Sequence, residues 1–177
     1  LHPLVTAIPG LKVAMPSTPA DAKGLLATAI RDDDPVIFFE HKTLYTISGD
    51  VPDDEYLVPF GKARIVSEGN DCTLVATGRM VSFCENAAQA LAEDGITCDI
   101  IDPRTTSPLD EDAILDSVEK TGRLVVVDET PPRCSFAADI AALAAGEVFS
   151  SLKAPVRQIT GPHSPVPFAK ELEGEFV

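Results

Sequence analysis

Short apolar runs alternate along this chain with segments whose apolar residues recur every three or four positions, and that alternation leaves few folds open. The first cycle is the clearest. Leu11-Lys12-Val13-Ala14-Met15 reads as a short strand that Pro16 stops. Thr18-Pro19-Ala20-Asp21 then carries helix-start chemistry: a Thr able to cap, a Pro where its missing N–H costs nothing, and an acid in the first turn. Ala22, Leu25, Leu26, Ala29 and Ile30 follow on one face, until Asp32-Asp33-Asp34 and Pro35 end the helix. Val36-Ile37-Phe38-Phe39 is a continuous apolar run, the pattern of a strand buried on both faces. Strand, helix and strand in such short order predict a βαβ unit with parallel strands.

Residues 49–60 turn polar and carry two prolines and four acids, which suits a linker between two domains. The alternation then resumes. Ala63–Val66 reads as an edge strand and Cys72–Thr77 as a buried one. Gly78 leads into a helix with Val81, Cys84, Ala88 and Leu91 on one face, closed by Gly95. Thr97–Ile101 is the next strand, and Leu109-Asp110 opens a helix with Ile114, Leu115 and Val118 inside and Gly122 at its stop. Leu124–Val127 is the most apolar strand, Ser135 caps an Ala-rich helix through Leu143, Val156–Ile159 is a last strand, and Pro167 begins a terminal helix. The expected fold is therefore α/β: an open sheet with helices on both faces over residues 61–177, preceded by a βαβ unit in residues 1–48.

Charge narrows the function classes. Lys and Arg number 14 against 28 Asp and Glu, a net charge of -14, so a phosphate backbone would be repelled and nucleic acid is not an expected partner. No run of 18 apolar residues is present to cross a bilayer, so no membrane partner is expected. Cys72, Cys84, Cys98 and Cys134 form no Cys-x-x-Cys pair, and His2, His41 and His163 are too scattered to complete a zinc pattern. Free thiols inside apolar patterns fit the reducing cytoplasm.

In an open α/β sheet, ligands collect beyond the carboxyl ends of the strands. Gly78-Arg79, Asp102-Pro103-Arg104-Thr105-Thr106 and Asp128-Glu129-Thr130 stand there, with Arg79 and Arg104 able to hold an anion or to form structural ion pairs with the acids. Three prolines surround His163 and fix its place. The run Asp32-Asp33-Asp34 adds carboxylates to a helix end that already carries partial negative charge. A hard cation such as potassium, calcium or magnesium would resolve that conflict through the carbonyls of Ala29 and Ile30 and the carboxylates of Asp32 and Asp34. A solvated acidic turn beside Arg31 is the alternative.

Two long stretches carry a resemblance. PGLKVAMPSTPADAKGLLATAIRDDDPVIFFEHKTLY resembles the end of the pyrimidine-binding domain in beta subunits of thiamine-diphosphate-dependent 2-oxoacid dehydrogenases. GNDCTLVATGRMV and DIIDPRTTSPLDEDAILDSVEKTGRLVVVDE resemble the transketolase C-terminal domain that follows it. DETPPRCSFAADIAAL and GPHSPVPF are similar to acetoin dehydrogenase beta subunits, where pyruvate-type and branched-chain relatives carry a Gly-rich stretch and an acid.

The resemblance implies a heterotetramer of two alpha and two beta subunits, with thiamine diphosphate and its magnesium bound by the full assembly. It implies carbon–carbon cleavage of acetoin or pyruvate and passage of a two-carbon unit to a lipoyl acyltransferase. It implies potassium at Ala29, Ile30, Asp32 and Asp34, although relatives often have Asn in place of Asp34. Glu40 and His41, after the last pyrimidine-domain strand, are the candidates for contact with the substrate channel, with His163 as a third. The activating glutamate and the His-Ser-Gln loop are expected upstream of Leu1, and the family's terminal segment is expected beyond Phe176-Val177. No catalytic or coenzyme-binding residue is expected in this piece, which should serve subunit assembly and partner docking and be inactive alone. The competing readings are a non-catalytic assembly module and a pyruvate or branched-chain beta subunit.

Overall fold

The computed structural model describes residues 1–174, so the expectation at Phe176-Val177 lies outside the described residues. The short helix α1 (His2–Thr6) leads into β1 (Lys12–Ala14), α2 (Pro19–Arg31) and β2 (Val36–Phe38), and β1 and β2 pair in parallel. Thr18 caps α2 by accepting the Asp21 N–H through its side chain, as the Thr-Pro-x-Asp pattern predicts. β2 departs from expectation. It is half-buried, because among the described residues it forms the edge of its sheet and is paired on one side only. A continuous apolar run does not by itself distinguish a central strand from an edge.

The second sheet is built from β3 (Arg64–Ser67), β4 (Cys72–Ala76), β5 (Cys98–Asp102), β7 (Leu124–Asp128) and β8 (Arg157–Thr160), in the order β3-β5-β4-β7-β8. All neighbours are parallel except β3, which runs antiparallel at the edge. Alternation along each strand sends side chains to two cores. Leu74, Ala76 and Ile100 meet Met80, Val81 and Cys84 of α3 (Met80–Glu93) on one face. Val75, Ile101 and Val126 meet α4 (Glu111–Thr121) and α5 (Phe136–Glu147) on the other. Gly122 ends α4 in the left-handed conformation, at φ 74°, that a Cβ would strain. The terminal helix α6 spans Lys170–Glu173.

The strand that sequence reading missed is β6 (Thr105–Ser107), which leaves the larger sheet and pairs antiparallel with β1, giving the order β2-β1-β6 in the smaller one. Residues 49–60 likewise do more than connect. They lie along α2, where Lys23 donates to the carbonyls of Pro52, Asp53 and Asp54. Tyr56 donates to the Ala20 carbonyl at 2.6 Å, and Thr28 donates to the Val58 carbonyl at 2.7 Å. Gly24 makes this approach possible, since a Cβ there would sit 2.5 Å from Val58 and 2.7 Å from Tyr56.

The four cysteines are free thiols. Burial pushes Cys72 up to about 11 and Cys84 up to about 12, so both behave as core residues rather than nucleophiles. Among the described residues no helix is long and apolar enough to cross a membrane.

Candidate functional site

Two sheets turn their carboxyl ends toward one another. Met15 and Pro16 follow β1, Phe39 to Lys42 follow β2, Thr77 and Gly78 follow β4, and Glu129 follows β7. Together with His2 these residues line a cleft of about 230 Å³. The ends of parallel strands are where open α/β folds place ligands, and here strands of both sheets contribute.

His41 ties the two sides together. The Thr43 N–H donates to its Nδ1 at 3.3 Å, which leaves the ring proton on Nε2, and Nε2 lies 3.0 Å from Glu129 Oε2. Thr43 Oγ1 adds a 2.8 Å bond to the same Nδ1. Both ring nitrogens are thus engaged. Glu40 accepts from the Tyr45 hydroxyl at 3.0 Å and raises the Tyr45 pKa through that bond. Glu40 and His41 also border a second cleft, of about 180 Å³, whose other walls include Pro16, Pro19, Leu44 and Ile47. The third candidate, His163, is exposed on a loop and lines neither cleft.

His2 enters the site unannounced by any motif. Its side chain is 4% exposed, and among the described residues its Nε2 has no hydrogen-bond partner, with Asp128 Oδ1 3.8 Å away. Burial pushes its pKa down, against the pull of Asp128 and Glu129, so the ring is neutral at pH 7. Asp128 itself accepts from the Thr130 N–H at 3.0 Å and from the Thr130 hydroxyl at 2.6 Å.

Arg79 and Arg104, read from sequence as able to hold an anion or to form structural ion pairs, both have protein partners. Arg104 pairs with Asp21 of α2 through Nε at 2.9 Å, and Arg64 Nε lies 3.3 Å from the other Asp21 oxygen. Arg64 also reaches Asp102 at 3.4 Å, and Ser17 donates to Asp102 at 2.5 Å. Burial pushes the Asp102 carboxyl up in spite of these bonds. This network stitches α2 to β3 and to the end of β5. Arg79 lies over the Phe83 ring, 5.0 Å from its centroid.

At the end of α2, Lys12 bonds both oxygens of Asp32, at 2.7 and 2.8 Å, and reaches Asp34 at 3.0 Å. Hydrogen bonding to Lys12 holds the Asp32 carboxyl below the usual range. The Ala29 carbonyl accepts from the Asp32 N–H at 3.4 Å, and Ile30 is exposed. The four residues named for a cation do gather at one helix end, but with a lysine among them. Among the described residues no group of three or more His, Cys, Asp or Glu is arranged to hold a metal ion.

Comparison with known proteins gives this arrangement a family. The description "Transketolase, pyrimidine binding domain" matches residues 2–48, and "Transketolase, C-terminal domain" matches residues 61–177. The acetoin:2,6-dichlorophenolindophenol oxidoreductase beta subunits of Bacillus subtilis and Cupriavidus necator are each 55% identical over all 177 residues, which cover 52% of either relative. The pyruvate dehydrogenase E1 beta subunit of Bacillus subtilis is 46% identical over 171 residues, 96% of this chain and 53% of the relative. The chain thus spans about half the length of the curated relatives it matches. A solved structure described as a split gene transketolase, inactive beta4 tetramer, shares the fold with a TM-score of 0.79 at 21% identity, over 98% of this chain and 55% of that one. With two thirds of its residues matched by one description, the chain belongs to the transketolase C-terminal domain family.

Proposed function

We propose that this chain is part of the beta subunit of a thiamine-diphosphate-dependent dehydrogenase that cleaves acetoin or pyruvate and passes the two-carbon unit to a lipoyl acyltransferase. The observation that carries this reading is the 55% identity to two acetoin oxidoreductase beta subunits across every residue of the chain. The proposed assembly is a cytoplasmic heterotetramer of two alpha and two beta subunits.

The coenzyme supplies carbanion chemistry, and the protein supplies orientation and electrostatics. The cleft does not itself suit a diphosphate, since Glu40 and Glu129 face it with Lys42 as the one lysine or arginine side chain among its lining residues. Thiamine diphosphate and its magnesium are therefore assigned to the alpha subunit and to other parts of beta. The residues of this chain build one wall. Met15, Phe39 and Met80 keep that wall apolar, while the Tyr45–Glu40 and His41–Glu129 bonds hold its polar groups in fixed orientations. The test is steady-state turnover by full-length beta with alpha. Acetoin should be cleaved with kcat/KM about tenfold or more above pyruvate. The reverse preference would assign the chain to the pyruvate dehydrogenases, and the absence of turnover would favour a non-catalytic assembly module.

The same reading places potassium at Ala29, Ile30, Asp32 and Asp34. Lys12 now bonds the two carboxylates, so ammonium and ion compete for them. Asp32→Ala is expected to lower Tm more in potassium than in a large organic cation if the ion binds. An equal loss in both salts assigns the helix end to Lys12 alone.

A further inference from the structure

The polar groups of the 230 Å³ cleft are unequal in charge. Glu40 and Glu129 present carboxylates, and Asp128 stands behind His2. Lys42 is the lysine side chain that opposes them. Burial pushes the His2 pKa down, against its carrying a charge, and the His41 ring nitrogen Nε2 is spent on Glu129 at 3.0 Å. An incoming anion therefore meets a net negative wall, whereas a neutral ketone meets polar groups without a charge penalty. The Nε2 of His2, buried at the cleft and without a hydrogen-bond partner among the described residues, offers such a ligand a hydrogen-bonding group.

Glu129 is the group that can be altered without dismantling this wall. Glu40 is tied to Tyr45 and Asp128 to the start of α5, where the Ala137 N–H donates to it at 3.4 Å. Among the described residues the Glu129 carboxylate has one side-chain partner, His41, and its side chain is 32% exposed. A glutamine there keeps an acceptor oxygen for His41 and removes the charge. The distance between Glu129 and a ligand in a cleft of this size is within the range over which an incompletely screened charge acts.

We propose that Glu129, held at the cleft by His41, is a specificity-determining residue that favours neutral ketones over 2-oxoacid anions. This rests on the functional reading above and deepens it, since acetoin is neutral and pyruvate is an anion. The discrimination is electrostatic, so it weakens as salt rises.

The experiment compares kcat/KM for acetoin and pyruvate in the assembly of full-length beta with alpha, as wild type, Glu129→Gln and Glu119→Gln. Glu119 is exposed near the carboxyl-terminal end of α4, so its variant removes the same charge elsewhere. Glu129→Gln should raise the pyruvate-to-acetoin ratio about three- to tenfold at low salt, with a smaller rise at high salt, while Glu119→Gln leaves the ratio within about twofold. A ratio unchanged by Glu129→Gln, or moved equally by both variants, overturns the inference while leaving the functional reading intact. A wild-type assembly that turns over neither compound removes that reading, and the inference with it.

Discussion

Replacing Asp21 by alanine is expected to destabilise the fold by about 3 kcal/mol, because it leaves charges at a buried interface without their partner. Asp21 is buried, and both its oxygens face guanidinium groups, Arg104 at 2.9 Å and Arg64 at 3.3 Å. Without it, Arg64 retains Asp102 at 3.4 Å, but Arg104 has no other carboxylate within salt-bridge distance among the described residues. The cost is held below the extreme for buried pairs because the Arg64 and Arg104 side chains are 26% and 18% exposed and water can reach them. The variant also loses the Thr18 hydroxyl's bond to the Asp21 carboxylate at 2.9 Å, though the backbone cap remains. For a chain of this length the expected loss corresponds to a fall in Tm of roughly 6–12 °C. A second substitution separates the pair from the orphaned charge. Arg104→Met in the Asp21→Ala background should recover part of the loss, because the penalty lies in the uncompensated cation. A Tm within about 2 °C of wild type for Asp21→Ala would show that the network is decoration on an interface held by other contacts.

What sequence reading could reach follows from the range of the interactions involved. Thr18 and Ser135 cap helices and Gly122 ends one, each through bonds that span four residues or fewer, and these elements stand where their local chemistry puts them. The two cores were legible for the same reason, since alternation on a strand and three- to four-residue spacing on a helix fix which face is buried. β6 was not legible. Thr105, Thr106 and Ser107 carry no apolar pattern, and they form a strand because β1, some 90 residues earlier, presents an edge to them. Thr6 and Thr106 hydroxyls 2.6 Å apart and the Ser107 bond to the Leu11 carbonyl lock that pairing. The candidate site shows the same division. Glu40 and His41 were named through the family resemblance, as the residues that follow the last strand of its pyrimidine-binding domain. Their fixed orientation depends on Glu129, 88 residues away from His41, and no local pattern records that distance. Lys12 beside Asp32 is a further case, since an acidic run read in isolation does not reveal the ammonium that a neighbouring strand brings to it.

Gly69→Ala is expected to cost about 3 kcal/mol or more, for a steric reason alone. Gly69 lies in the turn between β3 and β4, and a Cβ there would fall onto the backbone of Thr97 and Cys98, where β5 begins. Those atoms cannot rotate away as a side chain could. The Cys98 strand residue is paired with Cys72 of β4, and the Cys98 carbonyl accepts from Ser67 at 2.9 Å, so a shift of the backbone there disturbs three strands. The Gly69 N–H also donates to Asp99 at 2.7 Å, and Asp99 is the centre of a buried set that includes Ser117 at 2.6 Å and Lys120. Although burial alone would raise it, those bonds hold the Asp99 carboxyl below the usual range, so displacing Gly69 loosens a carboxylate that depends on its donors. The contrasting position is Gly146, inside α5, where an added Cβ meets nothing within 4 Å. There the same chemical change, Gly146→Ala, should stabilise by about 0.5–1 kcal/mol by lowering the entropy lost on folding. Urea denaturation of the two variants should therefore move the midpoint in opposite directions with unchanged slope. If Gly69→Ala were as stable as wild type, the close approach of this turn to β5 would have to be given up.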